Sequence, residues 1–324
     1  MTLYRTYITA LAALGLVTLG FNQIALADHS SGETKNYFKT DAGVDLRKQA
    51  PKALRPMLVR TKGQGKKFGT SQLKHYCKLK SGRYEIQYAV NDLETNKIIA
   101  RSKNAEQLYF GASSSKLFVA AALLDKQEGK FSRKQLGQLI KMIVVSDNPA
   151  WISLQKQTGS DGSSNSGRRA VQAFTKRAGY KTTQGFQGWM VTADGKRVHG
   201  NELNSLELAK FLHDTYKRNY RGADVVWKIM QATRTGKSKA KRYTPRDVYI
   251  GGKTGTYSGP NEARATVKLK TIKSRNHVVS LMTPRGHFGI SILSNTGSNE
   301  DVAVLAGGLM REYLGIGKKI KCGG

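Results

Sequence analysis

Four times in this chain a serine stands three residues ahead of a lysine: Ser71/Lys74, Ser113/Lys116, Ser153/Lys156 and Ser238/Lys241. On a helix such residues are surface neighbours, roughly 5–6 Å apart at Cβ. A lysine withdrawn from water has its charged form disfavoured and its pKa lowered. The neutral amine can then take the proton of a serine and turn a weak nucleophile into an effective one. The first turn of a helix adds free N–H groups and a positive dipole end, which suit a developing oxyanion. Only Ser113/Lys116 opens an apolar run, "FGASSSKLFVAAALL" from Phe110 to Leu124. There Lys116 is expected to be buried. The other three lysines sit among polar or basic residues, where a solvated ammonium is the expected state.

Two triplets add to this pair. Ser146-Asp147-Asn148 follows the apolar "MIVV" at the end of a helical stretch, a place from which polar side chains reach a cleft. Lys253-Thr254-Gly255 lies in a strand-like stretch behind Gly251-Gly252. A second lysine beside a serine can steer a proton relay and hold a substrate carboxylate. Each triplet arises by chance at a rate on the order of a few per cent in a chain of this length, given average residue usage. Their joint, ordered occurrence is far rarer. The six histidines (His29, His75, His199, His213, His277, His287) are scattered and show no partner in the sequence. CxxC, HExxH and G-x-S-x-G are all missing, so neither a metal nor a cofactor is expected. Trp189-Met190 could line a substrate wall, although packing beneath a long loop is the preferred reading.

These residues need elements to position them. "YEIQYAVNDLETNKIIARS" alternates, turns at Asn91–Asn96 and reads as a hairpin. The run after Ser113 is apolar on every face and reads as a buried central helix. Ser132 and Gln135 form a capping-box pattern ahead of Leu136, Leu139, Ile140 and Ile143, which share one face. "DGSSNSG" (161–167) reads as a loop, "RRAVQAFTKRAGY" as a helix, 181–203 as irregular and "NSLELAKFLHDTY" as a helix. Strands return at "DVYIGGKTGTY", "ARATVKLK" and "HFGISILSN", and a last helix is expected over about 301–314. The fold class is α/β: an antiparallel sheet of N- and C-terminal segments around an inserted helical region.

The chain of 324 residues carries 54 Lys and Arg against 22 Asp and Glu, a formal charge of +32. Such a field favours anionic surfaces. The N-terminus has Arg5, an apolar segment from about Ile8 to Gly20 and then Ala25-Leu26-Ala27, which reads as a signal peptide (1–27) cleaved after Ala27. Export to periplasm or extracellular space argues against nucleic acid as partner, and no membrane span is expected after cleavage. An anionic cell-envelope polymer meeting the basic surface is the expected partner of that charge. Residues 28–70 read as a basic, loosely ordered extension with a short helix near Leu54–Val59, and 71–324 as the catalytic-type domain. Cys77 and Cys322 are the two cysteines, and either one disulfide or two free thiols is compatible with export.

S-x-x-K, S-D-N and K-T-G in this order are the signature of class A β-lactamases and penicillin-binding proteins. From about Tyr84 to Leu314 the chain resembles that superfamily, through "YAVNDLETNKIIARSKNAEQLYFGASSSKLFVAAALL", "MIVVSDNPAWISL", "GRRAVQAFTKRAGY" and "GGKTGT". The resemblance implies a β-lactamase/transpeptidase-like fold with Ser113 as the acylated nucleophile and Lys116 as its proton partner. Ser146, Asn148, Lys253, Thr254, Gly255 and Thr256 would line the cleft, with the N–H groups of Ser113 and Thr256 as oxyanion hole. The two chain ends would run close together, which favours a Cys77–Cys322 bond. Two departures stand out. Ser113 and Ser146 are only 33 positions apart, which implies a more open cleft. The family's deacylation glutamate has no clear counterpart: Glu202 in "GNELN" is the candidate, and an exposed helix-start carboxylate is the favoured alternative. The implied function is a serine hydrolase acting on a β-lactam or a peptidoglycan D-Ala-D-Ala-type peptide with slow deacylation. A wall-binding protein that keeps the fold without turnover is the alternative.

Overall fold

A hairpin opens the central sheet and three strands from the far end of the chain complete it. The structure, a computed structural model, describes residues 37–81, 85–261 and 269–323. The elements below all belong to one compact unit, Phe38–Gly324. The hairpin strands are β1 (Ile86–Asp92) and β2 (Ile98–Arg101). With β7 (Tyr249–Pro260), β8 (Thr271–Thr283) and β9 (Gly286–Ser294) they form an antiparallel sheet in the order β2-β1-β9-β8-β7. Two short ladders lie outside it: β3 (Tyr109–Phe110) with β6 (Glu202–Leu203), and β4 (Trp189–Val191) with β5 (Arg197–His199).

Strand alternation gives the sheet two different faces. One carries Tyr88, Val90, Ile250, Val279, Ile290 and Ile292, buried against helices α2 (Thr70–Lys80) and α9 (Asn299–Tyr313). The other carries Ala89, Ser291, Val278 and Lys253 in register. It meets α7 (Ser205–Lys217), where Ser291 Oγ donates to the Ser205 carbonyl at 2.6 Å and Asn91 Nδ2 to that of Ala209 at 2.9 Å.

Between β2 and β7 the chain inserts α3 (Lys116–Lys126), α4 (Arg133–Val144), α5 (Asn148–Thr158), α6 (Ser164–Arg177), α7 and α8 (Ala223–Met230). Helix α3 is buried at every position from Lys116 to Leu124, as its all-round apolar pattern requires. Ser132 Oγ accepts from Gln135 N–H at 3.2 Å, while Gln135 Oε1 accepts from Ser132 N–H at 2.8 Å, so the expected capping box forms. No helix among the described residues is long and apolar enough to cross a membrane.

Three expectations change, and a fourth falls mainly on residues that are not described. Residues 38–70 are not loosely ordered: Leu46, Ala50 and Leu58 are fully buried. Helix α1 (Leu46–Gln49) is capped by Asp45, a 3-10 turn spans Lys52–Met57, and the strap beyond it lies along the sheet edge. Thr61 N–H donates to Gln231 O, Ile250 N–H to Thr61 O and Gly63 N–H to Val248 O. A segment with few apolar residues is held here because its backbone groups find partners on the β7 edge. Helix α6 begins inside the stretch expected as a loop, because Ser163 Oγ accepts from Ser166 N–H at 3.1 Å and caps it. The 181–203 stretch contains the short strands β4, β5 and β6. The strand expected at 263–270 falls mainly on 262–268, outside the described residues, and the observed strand is β8, farther on. The signal peptide also lies outside the described residues. Cys77 on α2 is bonded to Cys322, 245 positions away, with the Cα atoms 5.6 Å apart.

Candidate active site

The nucleophile candidate sits on a turn with nowhere to slide. Ser113 lies in a 3-10 turn, Ala112–Ser115, that runs straight into α3. Ala112 adopts φ +46°, a left-handed value that a non-glycine residue holds at a cost of about 1–3 kcal/mol. The turn is bolted to the sheet by Asn276 of β8, which is fully buried. Its Nδ2 donates to the carbonyls of Phe110 (2.8 Å) and Gly111 (2.9 Å), and its Oδ1 accepts from Ser294 N–H at 3.0 Å. Strand β7 passes close behind: a Cβ on Gly255 would lie 2.7 Å from the Gly111 carbonyl oxygen, so only glycine fits. Gly252 is held at φ +133° with no room for a side chain, which accounts for the glycine ahead of Lys253.

Lys116 occupies the centre of the site and is inaccessible to solvent. Its Nζ donates to Ser113 Oγ (3.2 Å), Ser146 O (2.6 Å), Ser146 Oγ (3.2 Å) and Asn148 Oδ1 (2.7 Å). Burial lowers the amine from 10.5 to about 8, with nearby Asp147 acting in the opposite direction. The Trp151 ring closes one side, 5.0 Å from Nζ. Ser146 is presented by the bend between α4 and α5, again in a left-handed conformation (φ +68°). Asp147 caps α5 by accepting from Ala150 N–H at 2.7 Å, which turns Asn148 toward Lys116. Lys253, also fully buried, donates to Ser146 Oγ at 2.8 Å. Burial holds its amine well below the ordinary lysine value, and Lys116 and Lys239 add repulsion. Ser146 Oγ thus bridges two buried amines, a geometry able to pass a proton from one side of the site to the other. The structure therefore brings Ser113, Lys116, Ser146, Asn148 and Lys253 into one network. Thr254 and Thr256 lie on the adjoining edge of β7, and Thr254 Oγ1 donates to Thr235 Oγ1 at 2.9 Å.

Glu202 is neither exposed nor at a helix start. It pairs with Phe110 in the β3–β6 ladder and is 4% exposed. Helix α7 begins three residues later and is capped by Asn204, whose Oδ1 accepts from Glu207 N–H at 2.8 Å. Burial pushes the Glu202 carboxyl up to about 7, and its Oε1 has no hydrogen-bond partner among the described residues. It makes no hydrogen bond with Ser113 or Lys116 among those residues. The residue beside it does touch the nucleophile turn: Gly111 N–H donates to Asn201 O at 2.7 Å, and Ser115 Oγ bonds Asn201 Oδ1.

Several participants were not evident in the sequence. Lys239 is 3% exposed, and its Nζ donates to Gly255 O (2.6 Å), Thr256 Oγ1 (3.0 Å) and Asn276 O (3.1 Å), tying two strands together at the rim of the site. Burial, with Arg275 nearby, lowers it to about 7. Lys241, expected to be solvated, is buried beneath the same edge and donates to Thr233 O, with its amine lowered to about 8 by burial. Its partner in the Ser-x-x-Lys spacing, Ser238, is exposed. Lys74 and Lys156 are exposed as expected. Met190 is buried, whereas Trp189 is 38% exposed and stacks edge-on with His199 at 4.8 Å. Among the described residues every histidine has a partner: His199 packs against Trp189, His75 pairs with Asp301 (2.8 Å), His213 with Leu93 O (2.9 Å), His277 with Ala240 N–H (3.2 Å) and His287 with Tyr216 (2.6 Å).

Solved structures share this arrangement of elements. A β-lactamase from Xanthomonas campestris pv. campestris matches with a TM-score of 0.57 at 13% identity, over 75% of this chain and 97% of that one. A β-lactamase from Streptosporangium roseum matches with a TM-score of 0.55 at 17% identity, over 75% and 98%. A variant of the class A β-lactamase of the last common ancestor of Gram-negative bacteria matches at 0.52 and 16%, over 73% and 95%. At such identities the likeness speaks to the fold. No curated protein matches the chain. The family model of the beta-lactamase enzyme family covers residues 134–308, more than half of the 324. The chain belongs to the beta-lactamase enzyme family.

Proposed function

We propose that the protein is a serine acyl-transfer hydrolase whose substrate is a β-lactam or a D-Ala-D-Ala-type peptidoglycan peptide. The observation that carries this reading is the Lys116 amine, buried and within hydrogen-bond reach of Ser113, Ser146 and Asn148 together. Neutral Lys116 takes the Ser113 hydroxyl proton as Oγ bonds to the substrate acyl carbon. The proton passes through Ser146 to the leaving nitrogen as the C–N bond breaks, and Lys253 stabilises the transient charge on Ser146. The N–H groups of Ser113 and Thr256 serve the oxyanion, and Thr254 and Lys253 hold the substrate carboxylate. No cofactor is required by these steps.

Release of the acyl group needs a base within hydrogen-bond reach of a water beside the ester. Glu202 makes no hydrogen bond to the nucleophile pair among the described residues, and on that ground slow deacylation is part of the proposal; the rise of its carboxyl to about 7 by burial would itself suit a base. Removing a positioned general base lowers a rate by about 10²–10⁴-fold. Glu202→Gln is therefore expected to leave both the burst and the steady-state phase with a chromogenic cephalosporin within a few-fold of wild type. A fast wild-type steady state that Glu202→Gln abolishes contradicts this. Export and association with an anionic envelope polymer complete the reading, supported by the formal charge of +32.

A further inference from the structure

The back of the sheet, opposite the face that carries Lys253, concentrates positive charge around the disulfide. The strap preceding α2, helix α2 and the tail beyond α9 meet there. One concavity of about 420 Å³ is lined by Lys66, Lys67, Arg246, Arg311 and Lys318, together with Gly65, Phe68 and Pro245. No acid lines it. A second, of about 660 Å³, is lined by Thr70, Ser71, Lys74, His75 and Lys78 on the outer side of α2. Gly69 alone separates the two along the chain. On α9, Asp301 is paired with His75 at 2.8 Å and Glu312 with Lys80 at 2.5 Å, and Asp247 follows Arg246 in sequence.

Two features mark this as a built surface and not a share of the general charge. Arg311 is 8% exposed and forms no ion pair with a carboxylate among the described residues. Its Nη1 donates to the carbonyls of Tyr243 (3.1 Å) and Gly307 (2.8 Å), and the guanidinium lies 4.6 Å over the Phe68 ring. The rest of the guanidinium borders the first concavity without a protein acceptor among those residues. The Cys77–Cys322 bond then fixes the tail, with Lys318, Lys319 and Lys321, against the helix that carries Lys74 and Lys78. Holding like charges together is unfavourable unless an anion joins them. The residues suit phosphate in particular. Lysine is a point-charge phosphate binder, and the N-terminus of the 11-residue helix α2 adds backbone N–H groups beside the Thr70 and Ser71 hydroxyls.

We infer that the strap, α2 and the disulfide-held tail form a docking surface for a flexible linear phosphate polymer, leaving the Ser113 cleft on the other face free to act. This deepens the envelope-polymer part of the proposed function and is independent of its catalytic part. The test uses inorganic polyphosphate as probe and two variants of equal charge loss. One replaces Lys66, Lys67, Lys74 and Lys78 with glutamine, and the other replaces the exposed Lys134, Lys156, Lys176 and Lys181. Polyphosphate affinity of the first is expected to fall at least tenfold. Its log–log salt slope is expected to shrink by up to about 3, at about 0.7 per lost contact. The second should stay within about twofold of wild type. Equal losses in both variants, or no wild-type binding at low salt, overturn the inference. Duplex DNA binding as tightly as polyphosphate overturns the choice of a flexible chain. Labelling of Ser113 by a fluorescent penicillin in the same variants reports separately on the catalytic reading.

Discussion

Lys116 meets several acceptors with a single amine, and only its neutral form can take a proton from Ser113. Burial brings it from 10.5 to about 8, so below that value the competent fraction grows tenfold per pH unit. The acylation rate constant, measured by stopped flow with a reporter β-lactam, is therefore expected to climb from pH 6 with a slope near one and to level off above about 8. A rate flat across this range would mean that Lys116 is not the base. Lys253 donates to the same Ser146 Oγ at 2.8 Å, and burial together with repulsion from Lys116 holds its amine well below the ordinary lysine value.

At the scale of elements, the cleft depends on how the nucleophile turn is fastened to β8. The buried Asn276 side chain makes three hydrogen bonds, two of them to the carbonyls just before Ser113. Asn276→Leu keeps the volume but strands two acceptors and one donor, at about 1–3 kcal/mol each. We expect a loss of 3 kcal/mol or more in urea unfolding (an order-of-magnitude figure from that range), together with slower acylation in the variant that remains folded. An unchanged midpoint would show the turn to be held by other contacts. Asn276 also shows where reading the sequence stopped. The hairpin, the wholly buried α3, the α4 capping box and the three motifs were legible because each is a local pattern. Strand β8 was not, since it buries Ser274, Asn276, His277 and Ser280 where an alternating strand would bury apolar residues. Lys241 was read as solvated because its neighbours in sequence are basic, Lys239 was not singled out at all, and only the fold turns both inward beneath β7. The strap was missed for the converse reason: its partners are backbone groups, which carry no side-chain signature.

Across the fold, Lys116, Lys239, Lys241 and Lys253 are buried, and none forms an ion pair with a carboxylate among the described residues. Lys116, Lys239 and Lys241 are lowered by burial to about 8, 7 and 8 from 10.5. Between roughly pH 7 and 10 the unfolded chain binds more protons at these sites than the folded one, so stability rises with pH there. Glu202, raised to about 7 by burial, acts below that window and in the opposite direction. The buried Tyr88 hydroxyl, pushed up to about 12, reverses the trend only at more alkaline pH. The thermal midpoint is expected to increase from pH 7 to about 9.5, and a steady decline over that interval would contradict the burial of these lysines. The central claim, that this molecule reacts through Ser113, is tested most directly by mass. After brief incubation with benzylpenicillin, intact-protein spectrometry should show one adduct per chain, and peptide mapping should place it on Ser113. The adduct should persist in a time course after free drug is removed, and Ser113→Ala should carry none. Absence of an adduct in the wild-type protein, or its presence on Ser113→Ala, would contradict the account.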